Sequence, residues 1–341
     1  MRTDNIRKYL LAGAVAIVAL GTAAQAEPFR LIVTDLETPL VPNSVMDLAV
    51  QLGYFAEDGV EVELVRVQQT PSALAALQAG EGEMANISVD ALLQLVIGGA
   101  DDLRAVTSPN KSLPFLIAAT DDIATPADLA GHSFGVGRVG SLDHSLSMKV
   151  LADAGADVDA LEIVTLGQPA IRAQALAAGQ VDATTMSIGV WSSLPERDGL
   201  AVLIDQDAYY ASAPVVNKVN IVTTETLETR GDEVRGVIRA LTRLSRDVAA
   251  DPALWVDAMA VALPHIERET LETLAQAFAA SWSVNGGMSA PELQYTQEWL
   301  YQGEDFQNAR AVTLDEWVDF GPVDDVLADL GTAPGMDEPA R

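Results

Sequence analysis

The sequence predicts an α/β protein made of two similar lobes, and three observations carry that prediction. Strand-length apolar runs alternate with helical apolar stripes from Phe29 onwards, the pattern of a largely parallel sheet covered by helices. The alternation restarts near residue 114. Finally, Leu77-Gln78-Ala79-Gly80, a strand and Ser88 are echoed by Leu176-Ala177-Ala178-Gly179, a strand and Ser187, with a Gly-to-Ser spacing of 8 in both.

Residues 1–26 read as a secretory signal. Arg2, Arg7 and Lys8 precede an apolar run from Leu10 to Leu20, and Ala24-Gln25-Ala26 has the small-x-small pattern of a cleavage site. The run falls short of the roughly 18 residues that a membrane span needs. Phe29 to Thr34 then reads as a strand, followed by a polar loop from Asp35 to Asn43. Val45, Leu48, Ala49 and Leu52 fall at i, i+3, i+4 and i+7, one helical face, and Gly53 ends it. Val60 to Val67 alternates as a strand. Thr70-Pro71 caps a helix that Gly80 stops, Met84 to Ile87 is a strand, and Ser88 caps a helix carrying Leu92, Leu93 and Val96.

In the second series Pro114 to Ala119 is a strand, and Thr125-Pro126-Ala127-Asp128 is a capping box with proline at the first helical position. Ser133 to Val136 is a strand, Gly137 to Ser141 a loop, and Leu142, Leu146 and Val150 mark a helix. Leu161 to Leu166, Ile171 to Ala178 and Asp182 to Met186 read as strand, helix and strand, and Ser187 opens a further helix. Beyond Val215 the chain reads as mostly helical, with one long stripe through Val234, Val237, Ile238, Leu241, Leu244 and Val248. Leu293 to Leu300 and Val323 to Leu330 are later helices, and the polar end from Pro334 to Arg341 is expected to fray.

Composition narrows the function. The 341 residues carry 20 Lys plus Arg against 49 Asp plus Glu, a net charge of −29, which repels a phosphate backbone and argues against nucleic-acid binding. The absence of Cys excludes disulfides, thiolate metal sites and a Cys nucleophile. His132, His144 and His265 are scattered without metal-ligand spacing, so no metal is expected.

Gly135, Gly137 and Gly140 fit G-x-G-x-x-G between a strand and a helix. The acid expected at the end of the following strand is missing, since that strand ends in Gly167-Gln168, so no dinucleotide cofactor is expected. The turn either exposes N–H groups, with Arg138 and Ser141 beside it, to an anionic group, or is a tight turn with a solvated arginine. Ser88 and Ser187 are either plain helix caps or caps that also face a ligand. Trp191 either packs in the core or walls the ligand, and Tyr209 and Tyr210 serve hinge packing or stacking.

Leu52-Gly53-Tyr54-Phe55-Ala56-Glu57-Asp58-Gly59-Val60-Glu61-Val62-Glu63 resembles a signature of the ABC-transporter periplasmic solute-binding proteins for sulfonates, nitrate, taurine and thiamine-pyrimidine precursors. Leu77 to Gly80, Thr125 to Gly131, Gly140-Ser141, Ala175 to Ala183 and Thr296 to Leu300 are similar too. The resemblance implies a type II periplasmic-binding-protein fold, two α/β lobes joined by two crossing strands that close on a ligand like a hinge. It divides the chain into lobe one, 27–111 with 216–331, lobe two, 112–215, and a tail, 332–341. It implies ligand contacts from the loops after the strands: Glu37, Thr38, Asn43, Gln69, Ser88, Asn110, Arg138, Gly140, Ser141, Gln168, Ser187 and Trp191.

The implied function is capture of a small polar or zwitterionic solute, sulfonate-, taurine- or aminopyrimidine-like, by a periplasmic monomer. The solute would pass to the permease and ATPase subunits of an ABC importer. Arg138 and Ser141 suit an anion, whereas Glu37 and Asp90 favour an amine. An enzyme on the same fold and a sensor for a membrane receptor are the alternatives. Missing Cys weighs against the first.

Overall fold

The computed structural model describes residues 27–109, 115–335, 337 and 339. The signal expected over 1–26, and Asn110, lie outside the described residues. β1 (Phe29–Val33) leads through a 3₁₀ turn, Pro42–Ser44, into α1 (Val45–Gln51) and α2 (Tyr54–Glu57). β2 (Val62–Arg66), α3 (Thr70–Gln78), β3 (Met84–Ser88), α4 (Val89–Ile97) and β4 (Leu103–Thr107) follow. The second series is β5 (Phe115–Thr120), β6 (Ser133–Val136), α5 (Leu142–Asp153), β7 (Glu162–Thr165), α6 (Pro169–Ala177), β8 (Ala183–Ser187), α7 (Ile188–Ser193), β9 (Leu200–Ile204) and α8 (Gln206–Ser212). The chain returns as β10 (Lys218–Thr223) and continues as α9 (Thr224–Ala250), α10 (Pro252–Ala262), α11 (Arg268–Ala277), α12 (Ala290–Leu300), α13 (Leu314–Trp317) and α14 (Gly321–Leu330).

Two five-stranded sheets result, ordered β2-β1-β3-β10-β4 and β7-β6-β8-β5-β9. They are the same arrangement twice. β1 matches β6, β2 matches β7, β3 matches β8, and the fourth strand of each runs antiparallel to both its neighbours. That fourth strand is the first segment to enter its sheet after the chain crosses between lobes. The glycine of each echo turns the chain at positive φ, +72° at Gly80 and +66° at Gly179, before β3 and β8.

The echo extends to the back edges of the sheets. Glu83, just before β3, accepts the Arg30 N–H at 2.6 Å. Asp182, just before β8, accepts the Ser133 N–H at 2.8 Å. Burial opposes ionisation of Glu83, but the Arg30 bonds and the Arg230 charge outweigh it and hold the carboxyl below its usual range. The Ser133 backbone bond does the same for Asp182, helped by the Ser133 hydroxyl and His132.

Three strands escape the sequence reading: β4, β9 and β10. β10 is the important one, because it lies where the chain reads as helical. Its run, Lys-Val-Asn-Ile-Val-Thr, has a buried Asn220 at its centre, which blunts the apolar signal. The structure satisfies that amide within a chain: Asn43 Nδ2 donates to Asn86 Oδ1 at 3.0 Å and Asn86 Nδ2 to Asn220 Oδ1 at 2.7 Å. The capping box at Thr125 forms, but it opens only the 3₁₀ turn Pro126–Leu129. Thr70 is not a cap. Gln69 holds that position, and the Thr70 hydroxyl accepts from the Ser88 N–H.

α9 packs its predicted stripe into the core behind sheet one. Trp255, Phe278 and Trp282 form an aromatic cluster with centroids 5.7–6.3 Å apart, and Trp255 Nε1 donates to Ser44 Oγ at 2.9 Å, tying α10 to lobe one. The tail is not loose throughout. Asp337 is buried, and its carboxylate accepts from Asn285 N and Gly287 N at 2.7 and 2.9 Å, because those amides have no acceptor in their own turn.

Candidate functional site

Parallel strands of both sheets deliver their loops to a common face, where the lobes meet. Two of the contacts are related by the repeat. In lobe one Leu40, on the loop after β1, packs on Gly189, the second residue of α7. A β-carbon on Gly189 would collide with the Leu40 carbonyl oxygen. In lobe two Arg138, on the equivalent loop after β6, reaches Asp90, the second residue of α4, with 3.7 Å between Nη2 and Oδ2. Nearby, Gln168 Nε2 donates to the Gln68 carbonyl at 2.6 Å. The lobes are therefore closed on one another.

Asp90 is 3% exposed, and its Oδ1 has no hydrogen-bond partner among the described residues. Burial pushes its carboxyl up, against the opposing pull of the Ser88 hydroxyl and of Arg138. Arg138 is 57% exposed at its side chain, and 3.7 Å is beyond hydrogen-bond length. The pair form an ion pair without a hydrogen bond.

The glycine-rich loop is braced from beneath. Arg172 on α6, 3% exposed, pairs with Asp143 on α5 at 2.9 Å and donates to the Gly167 and Thr185 carbonyls at 3.1 and 2.9 Å. Gly137 lies directly on it. A β-carbon there would stand 2.8 Å from Arg172 Nη1. Ser141 caps α5, accepting from His144 N at 3.3 Å and donating to the Arg138 carbonyl at 2.7 Å, so its hydroxyl is already committed. Gly140 gives its N–H to His144 Nδ1 at 3.2 Å and lies against the Asp305 carboxylate. Burial lowers the His144 pKa, against Asp143 and Asp305.

The remaining expected residues lie in several different settings. Ser88 and Ser187 cap α4 and α7 at the meeting face. Ser187 accepts from Val190 N at 3.2 Å, whereas Ser88 makes no such capping bond. Glu37 and Thr38 line a cavity of about 460 Å³ with Leu36, Arg66, Ala262, Leu263 and His265, none of them from 115–204. Asn43 is buried in the amide chain, with Oδ1 unpartnered, and Gln69 is exposed at the start of α3. Trp191 packs on the lobe-two core under the Arg197 guanidinium, 5.5 Å from its ring. Tyr209 is fully buried edge-on to Phe115 at 5.9 Å, and burial raises its pKa far above the usual range. Burial also pushes Tyr210 up to about 12.

Gln68, Asp143, Arg172 and Gly189 are the contributors that sequence reasoning missed. A signal existed for one of them. The echo aligns Gly189 with Asp90, each two residues after its capping serine.

A mixed five-stranded sheet built twice, with its strand-end loops closed on one another, defines a two-lobed capture fold. The family profile described as NMT1/THI5 like matches residues 45–254, and the chain belongs to that family. The structure is similar to the periplasmic aliphatic sulphonate-binding protein SsuA of Escherichia coli, at 18% identity and a TM-score of 0.68 over 93% of this chain and 97% of that one. It is similar to the alkanesulfonate-binding protein SsuA of Xanthomonas axonopodis pv. citri bound to MOPS, at 21% identity and a TM-score of 0.68 over 87% and 100%. The desulfurization enzyme DSZB shares the fold at 17% identity, with a TM-score of 0.62 over 89% and 99%. At such identities the likeness establishes the periplasmic-binding-protein fold. No curated protein matches the sequence.

Proposed function

We propose that this chain is an extracytoplasmic solute-binding protein. It captures a small polar solute between its lobes as a monomer and delivers it to the permease and ATPase subunits of an ABC importer. The observation that carries this reading is the paired contact across the strand ends, Leu40 on Gly189 and Arg138 opposite Asp90, which brings loops of both lobes to one place only when the lobes close. A ligand there is enclosed by closure and released by opening, the behaviour that transport requires. The signal-like residues 1–26 and the two SsuA neighbours support export and delivery. The division of the chain at its two crossings supports a hinge there.

The DSZB likeness favours an enzyme as the second reading. The chain has no Cys to act as a nucleophile, and the first reading predicts a solute recovered unchanged. Thermal melting of residues 27–341 against sulfonates, nitrate, aminopyrimidines, aromatic carboxylates and amino acids tests both. A ligand at 100 times its dissociation constant adds about 2.7 kcal/mol to the native state. Stabilisation with the solute intact by mass spectrometry supports capture, and turnover overturns it.

A further inference from the structure

The repeat makes the two cross-lobe contacts directly comparable, and they differ. Leu40 against Gly189 is uncharged and so close that no β-carbon fits. Arg138 opposite Asp90 is charged and open by comparison. The ion-pair distance is 3.7 Å, and one carboxylate oxygen is buried without a hydrogen bond. A buried acceptor without a donor is unfavourable, and more so when it is charged. The Gly189 half of the cleft is complete in the closed protein. The Asp90 half keeps one acceptor, Asp90 Oδ1, without a donor among the described residues.

We propose, resting on the cleft reading above, that the solute is a compact zwitterion seated at the Asp90 half. Its ammonium group donates to Asp90 Oδ1 and its acidic group pairs with Arg138, while Leu40 and Gly189 bar the other half. Asp90 belongs to lobe one and Arg138 to lobe two, so such a solute bridges the lobes and pulls them together. A solute with only an acid satisfies Arg138 and leaves Asp90 as it is.

Matched pairs differing by one amine test this in titration calorimetry: taurine with ethanesulfonate, and β-alanine with propanoate. In the wild-type chain at least one amine-bearing member binds ten times more tightly than its twin, or better. Asp90→Asn keeps the shape and brings that ratio close to one, whereas Arg138→Gln weakens both members alike. Circular dichroism and melting confirm that each variant folds, and Asp90→Ser serves if Asp90→Asn does not. Twins of equal affinity in the wild-type chain, or a ratio unchanged by Asp90→Asn, overturn the inference and leave capture standing. Binding only of solutes from the wider panel that carry no amine does the same. If no solute of either kind binds, the inference and the cleft reading fall together.

Discussion

Lobe one and lobe two use the same device to hold the loop after β1 and the equivalent loop after β6, and they bury it to different depths. In lobe one Asp47 on α1 pairs with Arg66 at the end of β2, with Thr38 Oγ1 donating to Asp47 at 3.1 Å and Arg66 donating to the Asp35 carbonyl at 3.2 Å. In lobe two Asp143 on α5 pairs with Arg172, which also holds two carbonyls. The Arg66 side chain is 32% exposed and that of Arg172 is 4% exposed. Water can replace the first arginine and cannot reach the second. Lobe two thus presents a rigid glycine-rich loop, while the loop of lobe one owes its position more to the Leu40 contact.

The largest expected effect breaks that comparison directly. Arg172→Ala removes a buried guanidinium that holds two carbonyls as well as Asp143, and lowers stability by about 3 kcal/mol. Arg66→Ala lowers it less, by about 1–2 kcal/mol, since water reaches the arginine and Thr38 still donates to the buried Asp47. Urea unfolding of both variants measures the difference, and equal losses would show that burial does not set it.

Next comes the uncharged half of the cleft. Gly189→Ala places a methyl group against the Leu40 carbonyl across the lobes. The clash is relieved by opening, so each lobe keeps its fold while closure is disfavoured by about 1–3 kcal/mol, on the order of ten- to a hundredfold in capture. Small-angle scattering reads this as a larger radius of gyration with solute present. A variant that still compacts fully would mean that the contact is not part of closure.

The acid limb sharpens the likeness between the lobes. Glu83 and Asp182 are both held below their usual ranges, so each contributes stability that is complete above its unfolded value, about 4. That contribution is lost as the pH falls through the lower folded value. Glu83→Gln and Asp182→Asn should each flatten the fall in melting temperature below pH 4.5 and move little at pH 7 beyond a constant offset. An unaltered acid limb in either variant would place the acid sensitivity elsewhere.

The smallest effect is that of Gln168→Ala. Its bond to the Gln68 carbonyl is exposed, and its loss should weaken capture by about 0.5–1 kcal/mol, a few-fold in affinity.

Much of this was legible in the sequence because it is local. Periodicity located most helices and the strands beginning at Phe29, Met84 and Ser133, and the Gly80/Gly179 echo revealed the repeat. β10 was illegible because its meaning is non-local. A six-residue run with asparagine at its centre becomes a strand only between β3 and β4. The candidate site was legible by loop and not by side chain. Arg138, Ser88 and Ser187 are at the meeting face, but Ser141 is spent on its cap, and Trp191 is packed within its lobe. Which hydroxyl is already bonded, and which carboxylate is left without a donor, depends on atoms that sequence spacing does not position.

The placement of the two antiparallel strands also governs how the chain is completed during synthesis. All five strands of the second sheet lie within residues 115–204, so that lobe holds every partner it needs once that stretch has emerged. Among the described residues β4 pairs with no strand but β10, and β3 lacks one neighbour until residues 218–223 follow. The first-made strands therefore wait with open edges while the later-made lobe closes, and the order of assembly runs against the order of synthesis.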